Sequence, residues 1–410
     1  MSDDFGDDDG FGDFDLEGAI AGAAAAAPAA AAVPSNATDE KSLLRTLERH
    51  YGHTSFRPRQ LAVLQAILEG RDVGVFWATG SGKSICYQLP ALHTQKTVFV
   101  VSPLISLMQD QVTNINSKQA PGESRIACFL GSAQLERGVE EDALAGRYRL
   151  VYITPEKLVS SGFLDAVERL HRNGRVLMLA VDEAHCVSEW GHDFRPSFMQ
   201  LGRFRAQIPG VPICALTATA VPRVRDDILA VLGLRNTLSD ISSFDRPNLA
   251  ISARPKSGGS SVGSNLEFLI AQLGGAGSVV ATTGSTIVYV PTTKGVEELA
   301  RALQSRVPRG VVVKMYHGKM DNYARKESHM AFLSGSAAII VATVAFGMGI
   351  DKPDIRRIVH WGAPKTVEEY YQQIGRAGRD GLPAKCDLLY TSTDWTRCVS
   401  GFGGGAWSTE

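Results

Sequence analysis

The sequence predicts an α/β protein of two successive domains, each a parallel sheet covered by helices, with a cleft between them. Three observations carry this expectation. Short apolar runs alternate with longer mixed segments from residue 73 to 216. The same alternation restarts from 286 to 390. Between the two series lies a Gly/Ser-rich stretch, 256–285. At roughly 150 residues per domain, 410 residues are compatible with this division.

Taken in order, residues 1–40 read as a disordered tail. The first part, "MSDDFGDDDGFGDFDLE", holds eight acids and no base, and an Ala/Pro segment follows. Without those acids the net charge of −1 becomes +7, a mildly basic body that fits a polyanionic partner or an anionic cofactor. The Ala-rich stretch 19–33 is preceded by acids and interrupted by Pro28, unlike a secretory signal. "KSLLRTLERHYG" and "QLAVLQAILEG" have helical spacing, the second closed by Gly70. Strands are expected at 73–77, 97–101, 149–153, 176–181 and 211–216. The second series places them at 286–290, 311–315, 338–342, 357–361 and 386–390. Residues 256–285 read as an insertion with flexible ends around a helix at Leu266–Leu273. The expected layout is a tail, domains at 41–240 and 241–397, and an unstructured end at 398–410.

Six cysteines, Cys86, Cys128, Cys186, Cys214, Cys386 and Cys398, are scattered singly. None forms a C-x-x-C pair, so no zinc site is expected, and a reducing intracellular compartment is the natural reading. Outside the Ala-rich tail no apolar run approaches 18 residues, so no membrane span is expected.

The chemistry begins at "WATGSGKS", residues 77–84, between an apolar run and a helix-compatible segment. Thr79, Gly80, Ser81 and Gly82 form a loop whose backbone N–H groups can approach phosphate oxygens, aided by the helix N-terminus that follows. In such a loop Lys83 bridges the β and γ phosphates and the Ser84 hydroxyl ligates Mg²⁺. The usual pattern opens with glycine, and Trp77 stands in its place. "VLMLAVDEAH" ends an apolar strand at Asp182, suited to the same Mg²⁺, with Glu183 suited to orienting or deprotonating water. His185 is either a γ-phosphate sensor or a satisfied structural histidine. In "ALTATA", Thr217 and Thr219 are placed either to link these groups to the cleft or to make a buried turn.

The order of GKS, DEAH and ALTATA resembles superfamily-two helicases. More specifically, "FRPRQ", "VSPLISLMQDQV", "DEAHCVSEWGHDFRPSF" and "QQIGRAGRDG" resemble the RecQ family of DNA helicases, over about Leu43 to Tyr390. The resemblance implies two tandem RecA-like domains. It also implies that Gln60 reads the adenine edge while Arg57, and His53 as a flat ring, lie against the base. In such proteins the loop after DEAH couples single-stranded DNA contact to hydrolysis. Here it carries Trp190, His192, Phe194, Arg195 and Phe198. Base stacking is worth about 1–3 kcal/mol per base. Burial of Trp190 and Phe194 under the sheet is the competing reading.

From the second domain, Arg376 and Arg379 are three apart and would share a helix face, kept bare by Gly375 and Gly378. The resemblance makes Arg379 the finger, Arg376 its helper and Gln372 a neighbour. It also points to Thr343, Gly347, Gly349 and Asp351 for nucleotide and DNA. Thr292 and Lys294, after a strand, suit phosphate contact, which positions without specifying sequence. The expected function is an ATP- and Mg²⁺-dependent 3′–5′ DNA helicase motor acting on single-stranded and forked DNA, nuclear in a eukaryote. Protein partners are expected at the acidic tail. RecQ proteins commonly continue into zinc and winged-helix modules, and this chain ends instead. A translocase that remodels protein–DNA complexes without unwinding alone is therefore the alternative.

Overall fold

The computed structural model describes residues 35–119, 124–191, 193–257, 262–273, 284–347, 350 and 352–394. The expected tails therefore fall largely outside the described residues, as do Cys398, His192, Gly349 and Asp351.

The first domain opens with α1 (Glu40–Tyr51) and α2 (Gln60–Leu68). Asp39 accepts from Ser42 N at the start of α1, and Gly52 closes it at φ 69, as a left-handed C-terminal residue should. Then follow β1 (Val73–Phe76), α3 (Ile85–Thr94), β2 (Thr97–Val101), α4 (Ile105–Asn116), β3 (Ala127–Leu130), α5 (Val139–Leu144) and β4 (Leu150–Ile153). Next come α6 (Pro155–Leu158), α7 (Ser161–Arg172), β5 (Val176–Asp182), α8 (Pro196–Met199), α9 (Gly202–Gln207), β6 (Ile213–Thr217), α10 (Pro222–Val231) and β7 (Leu238–Ile241). The seven strands form one sheet in the order β3-β4-β2-β5-β6-β1-β7, every pairing parallel. β1, β2, β4 and β6 are buried along their whole length, which is why they read as unbroken apolar runs. Separate apolar clusters cover the two faces, one around Phe99, Phe163 and Phe204, the other around Trp77, Tyr87 and Tyr152.

The second domain contains β8 (Leu249–Pro255), α11 (Val262–Leu273), β9 (Ser285–Tyr289), α12 (Thr293–Gln304), β10 (Val313–Tyr316) and α13 (Asn322–Leu333). It continues with β11 (Ile339–Ala342), β12 (Ile355–Trp361), α14 (Val367–Ile374) and β13 (Ala384–Tyr390). Its six strands are also parallel, ordered β10-β11-β9-β12-β13-β8.

β3, β7 and β8 were not expected as strands. β7 and β8 lie at sheet edges and are half or mostly exposed, so neither reads as an apolar run. α11 is more than a loose insertion: Leu266 and Leu269 are buried in the second core beside Val288 and Leu299. The five described cysteines are all buried. Among the described residues no helix is long and apolar enough to cross a membrane.

Candidate functional site

The loop between β1 and α3 turns on two glycines in the left-handed region, Gly80 (φ 77) and Gly82 (φ 87). A Cβ on Gly82 would lie 2.6 Å from Gln60 Nε2, so the bare backbone lets α2 close over the loop. Gln60 is engaged by the loop itself. Its amide donates to Gly82 O (3.0 Å) and accepts from Arg57 N (2.8 Å), and its side chain is buried. It braces the loop from behind, while Arg57 donates to Gly80 O. Ser81 is also turned inward, its hydroxyl buried. Trp77 is explained by a partner that sequence reasoning missed: its indole N–H donates to Asp240 Oδ1 on β7 at 2.7 Å. Arg59 pairs with the same oxygen at 3.0 Å.

Lys83 curls under the loop, donating to Trp77 O (2.9 Å) and Ala78 O (3.2 Å). Burial pushes its pKa down, and nearby Arg379 adds to this; Glu183 and Asp182 oppose it. At the end of β5, burial and the neighbouring Glu183 raise the Asp182 carboxyl to about 7. Glu183 itself stands at φ 51, a left-handed conformation unusual for glutamate. Its Oε2 lies 3.4 Å from His185 Nδ1, and that nitrogen is 2.8 Å from Thr217 Oγ1. Thr217 in turn accepts from Thr219 N. His185 itself is buried between Glu183 and Thr217.

The phosphate loop faces a cavity of about 480 Å³ shared by both domains. The first domain lines it with His53, Arg57, Thr79, Gly80, Gly82, Lys83 and Ser84, and with Asp182 and Glu183. The second contributes Gln372, Arg376, Arg379, Ile350 and Pro353. The two arginines are not on a helix. α14 stops at Ile374, and both lie in the turns that follow, where Gly378 takes φ 56. They still converge on the loop, because Gly375 permits close approach to Thr79, while Gly378 packs against Asn248 and Leu382 of its own domain. Thr79 Oγ1 donates to Gly375 O at 3.0 Å, and a Cβ on Gly80 would lie 3.4 Å from Arg379 Cγ. Arg376 donates to Gly347 O and is almost wholly buried. Lysine and several guanidinium groups thus crowd one loop, a concentration of like charge that a polyphosphate relieves.

The loop after Glu183 divides its aromatic residues. Trp190 is 63% exposed, and the Arg223 guanidinium lies 3.6 Å from its ring centroid. Phe194 is half-buried. Phe198 is corrected from an expected DNA contact to a core residue: it is 0% exposed and packs among the first sheet's apolar cluster. Arg195 is spent internally, donating to Pro103 O (2.8 Å) and pairing with Asp193 (3.1 Å). In the second domain Thr292 caps α12, accepting from Gly295 N at 3.1 Å, and borders a separate cavity of about 650 Å³ with Val344, His360 and Lys365. Lys294 is exposed, 3.8 Å from Glu298. Thr343 is mostly buried at the end of β11.

Residues 57–228 match the DEAD/DEAH box helicase family model, and residues 265–381 match the helicase conserved C-terminal domain. Among curated proteins, the chain is 44% identical over 86% of its length to the mouse bifunctional 3′-5′ exonuclease/ATP-dependent helicase WRN. It is 39% identical over 88% of its length to the ATP-dependent DNA helicase RecQ of Haemophilus influenzae. The chain belongs to the RecQ family of helicases. This RecQ-type core spans 24% and 55% of the length of those two relatives. Its fold is that of solved helicases: Mycobacterium smegmatis Lhr bound to ssDNA and AMP-PNP (TM-score 0.65, 22% identity, 86% of this chain and 48% of that one) and Mss116 bound to ssRNA (TM-score 0.68, 19% identity, 86% and 73%). Beyond the family motifs, the RecQ-type core uses residues that sequence reasoning passed over. Asp240 lies in a half-exposed edge strand, Arg223 in the first turn of a helix, and Arg246 in the linker.

Proposed function

We propose that the chain is the motor of an ATP-dependent 3′–5′ DNA helicase, with domains at 41–240 and 241–397. The observation that supports this best is the shared cavity, where the phosphate loop and two carboxylates of one domain face Arg376 and Arg379 of the other. Lys83 and the N–H groups of residues 79–82 hold the triphosphate. His53 and Arg57 flank the base, with Gln60 holding the loop behind them and Gln372 on the facing wall. Glu183 orients and deprotonates the attacking water. Arg379, assisted by Arg376, stabilises charge on the transferring phosphoryl group, a contribution of roughly 10³–10⁵ in rate for such fingers.

A magnesium ion fits Ser84 and Asp182. Both offer hard oxygen donors, and a carboxyl raised toward neutrality by burial welcomes a cation. Among the described residues no cluster of three or more His, Cys, Asp or Glu stands together, which suits an ion that also relies on phosphates and water. When bound, it supplies charge neutralisation at the phosphate oxygens.

Trp190 and Phe194 meet single-stranded DNA, with Arg195 holding their loop. Thr292, Lys294 and Thr343 contact the backbone. His192 and Asp351, outside the described residues, belong to the same proposal, as do protein partners at the acidic tail and a nuclear placement in a eukaryotic source. Hydrolysis of ATP with Mg²⁺ is measured against single-stranded, duplex and forked DNA and RNA, followed by strand separation on the same substrates. Single-stranded DNA is expected to stimulate most strongly. Turnover indifferent to DNA refutes the proposal.

A further inference from the structure

We propose that Arg246, in the linker between β7 and β8, is a positioning residue that ties the phosphate loop to the turn carrying Arg376 and Arg379. The proposal rests on the ATP-hydrolysis reading above and adds the part that sets the register of its two halves.

The guanidinium of Arg246 reaches four backbone carbonyls. Nη1 donates to Thr79 O (2.9 Å) and Gly375 O (3.3 Å); Nη2 donates to Ala377 O (2.9 Å) and Gly378 O (3.0 Å). Three of these acceptors, the C-terminal cap Gly375 and the turn residues Ala377 and Gly378, follow α14 at the negative end of its dipole. A forked, planar cation satisfies such a set where a point charge does not. The acceptors alternate with Arg376 and precede Arg379, so holding them fixes both side chains at their roots. Asn248 secures the turn from the other side, donating to Gly378 O and Leu382 O, both at 3.0 Å.

The two halves of the guanidinium differ in what they join. Nη2 binds only the second domain. Nη1 straddles the cleft, and its Thr79 bond sits beside the Thr79–Gly375 bond. Parting the domains breaks these two links and leaves the Nη2 pair intact. Arg246 therefore travels with the arginine turn and engages the phosphate loop only when the halves meet. Burial also lowers its pKa, and nearby Arg379 and Arg57 add to that.

The test uses the whole chain with Arg246→Gln and Arg246→Lys. In Arg246→Gln, kcat for DNA-stimulated ATP hydrolysis is expected to fall by about 10- to 100-fold, the range that misplacement by about an ångström produces. KM for ATP and nucleotide-free affinity for single-stranded DNA are expected to stay within about threefold, because neither the phosphate loop nor the DNA surface loses a ligand-facing group. Arg246→Lys is expected to recover only part of kcat, lacking the fork. Without nucleotide, amide hydrogen exchange across 375–382 should quicken in Arg246→Gln while that of β13 is unchanged. Unchanged kcat, or unchanged exchange at 375–382, overturns the proposal. So does a parallel loss of kcat, DNA affinity and thermal midpoint, which would mark a general structural role. If the wild-type chain hydrolyses no ATP with DNA present, the functional reading fails by itself, and the exchange comparison alone decides whether Arg246 holds the turn.

Discussion

Replacing Gly375 with alanine adds one methyl group at the seam of the cleft. Gly375 has φ −61 and ψ −9, so alanine meets no backbone strain. The cost arises across the domains: the new Cβ would lie 2.1 Å from Thr79 Oγ1 and 3.2 Å from Thr79 Cβ. Ordinary contact begins near 3.4 Å, so the halves must retreat by about 1.3 Å or Thr79 must rotate away. Both responses break the Thr79–Gly375 hydrogen bond, and retreat of the halves also shifts Arg376 and Arg379 from the loop. A misplacement of about 1 Å costs on the order of 100-fold in rate, equivalent to about 2.7 kcal/mol at the transition state. Steady-state ATP hydrolysis with saturating single-stranded DNA measures this, with thermal melting of the nucleotide-free chain as a control. Thr79→Ala alone loses one hydrogen bond, about 0.5–1.5 kcal/mol. Added to Gly375→Ala it removes the 2.1 Å clash and leaves the milder contacts with Tyr371 O (3.1 Å) and the residue-79 Cβ (3.2 Å), so the double variant should outperform Gly375→Ala. A Gly375→Ala chain with kcat within twofold of wild type refutes the reasoning, as does a double variant slower than the single one.

Lys83→Ala is expected to abolish ATP turnover while DNA binding remains measurable by fluorescence anisotropy; retained turnover removes Lys83 from the phosphate site. Trp190→Ala should leave basal hydrolysis nearly intact and weaken its stimulation by DNA. Phe198→Ala should destabilise the first domain by about 3–5 kcal/mol, read from denaturant titration, because it empties a buried site. Burial lowers the His360 pKa to about 4, from an ordinary 6.5, so the unfolded chain binds the extra proton between these values. Stability from this group is fully present above pH 6.5 and is lost as pH falls toward 4, by at most about 3 kcal/mol. As pH falls from 6.5 toward 4, the denaturant midpoint of the parent should therefore drop relative to that of His360→Phe; a constant offset sinks the assignment.

Much of the fold was legible because parallel strands buried on both faces must be continuously apolar, as at Val98–Val101 and Ile339–Ala342. Edge strands escape that rule. β8 exposes nearly every side chain, and β7 alternates weakly, so neither announced itself. At the cleft, the glycines and charged residues of the phosphate loop and of DEAH were readable because phosphate and metal chemistry restrict residue type. The Gln60 orientation was not, since an amide can serve the protein's own carbonyls as well as a base edge. Periodicity also misjudged Arg376 and Arg379: spacing of three suggested a helix, but α14 ends at Ile374 before either. Trp190 and Phe198 show the same limit for aromatics, identical in pattern yet one exposed and one sealed in the core.

The sealed cysteines have a practical corollary. Burial raises the pKa of each described thiol, so none presents a ready nucleophile to a maleimide. With Cys398 changed to serine, cysteines introduced at exposed Ser117 and Ser305, one on each domain, would be selectively dye-reactive in the folded chain. Single-molecule energy transfer could then test whether the cleft opens and shuts, without first stripping the chain's native sulfur.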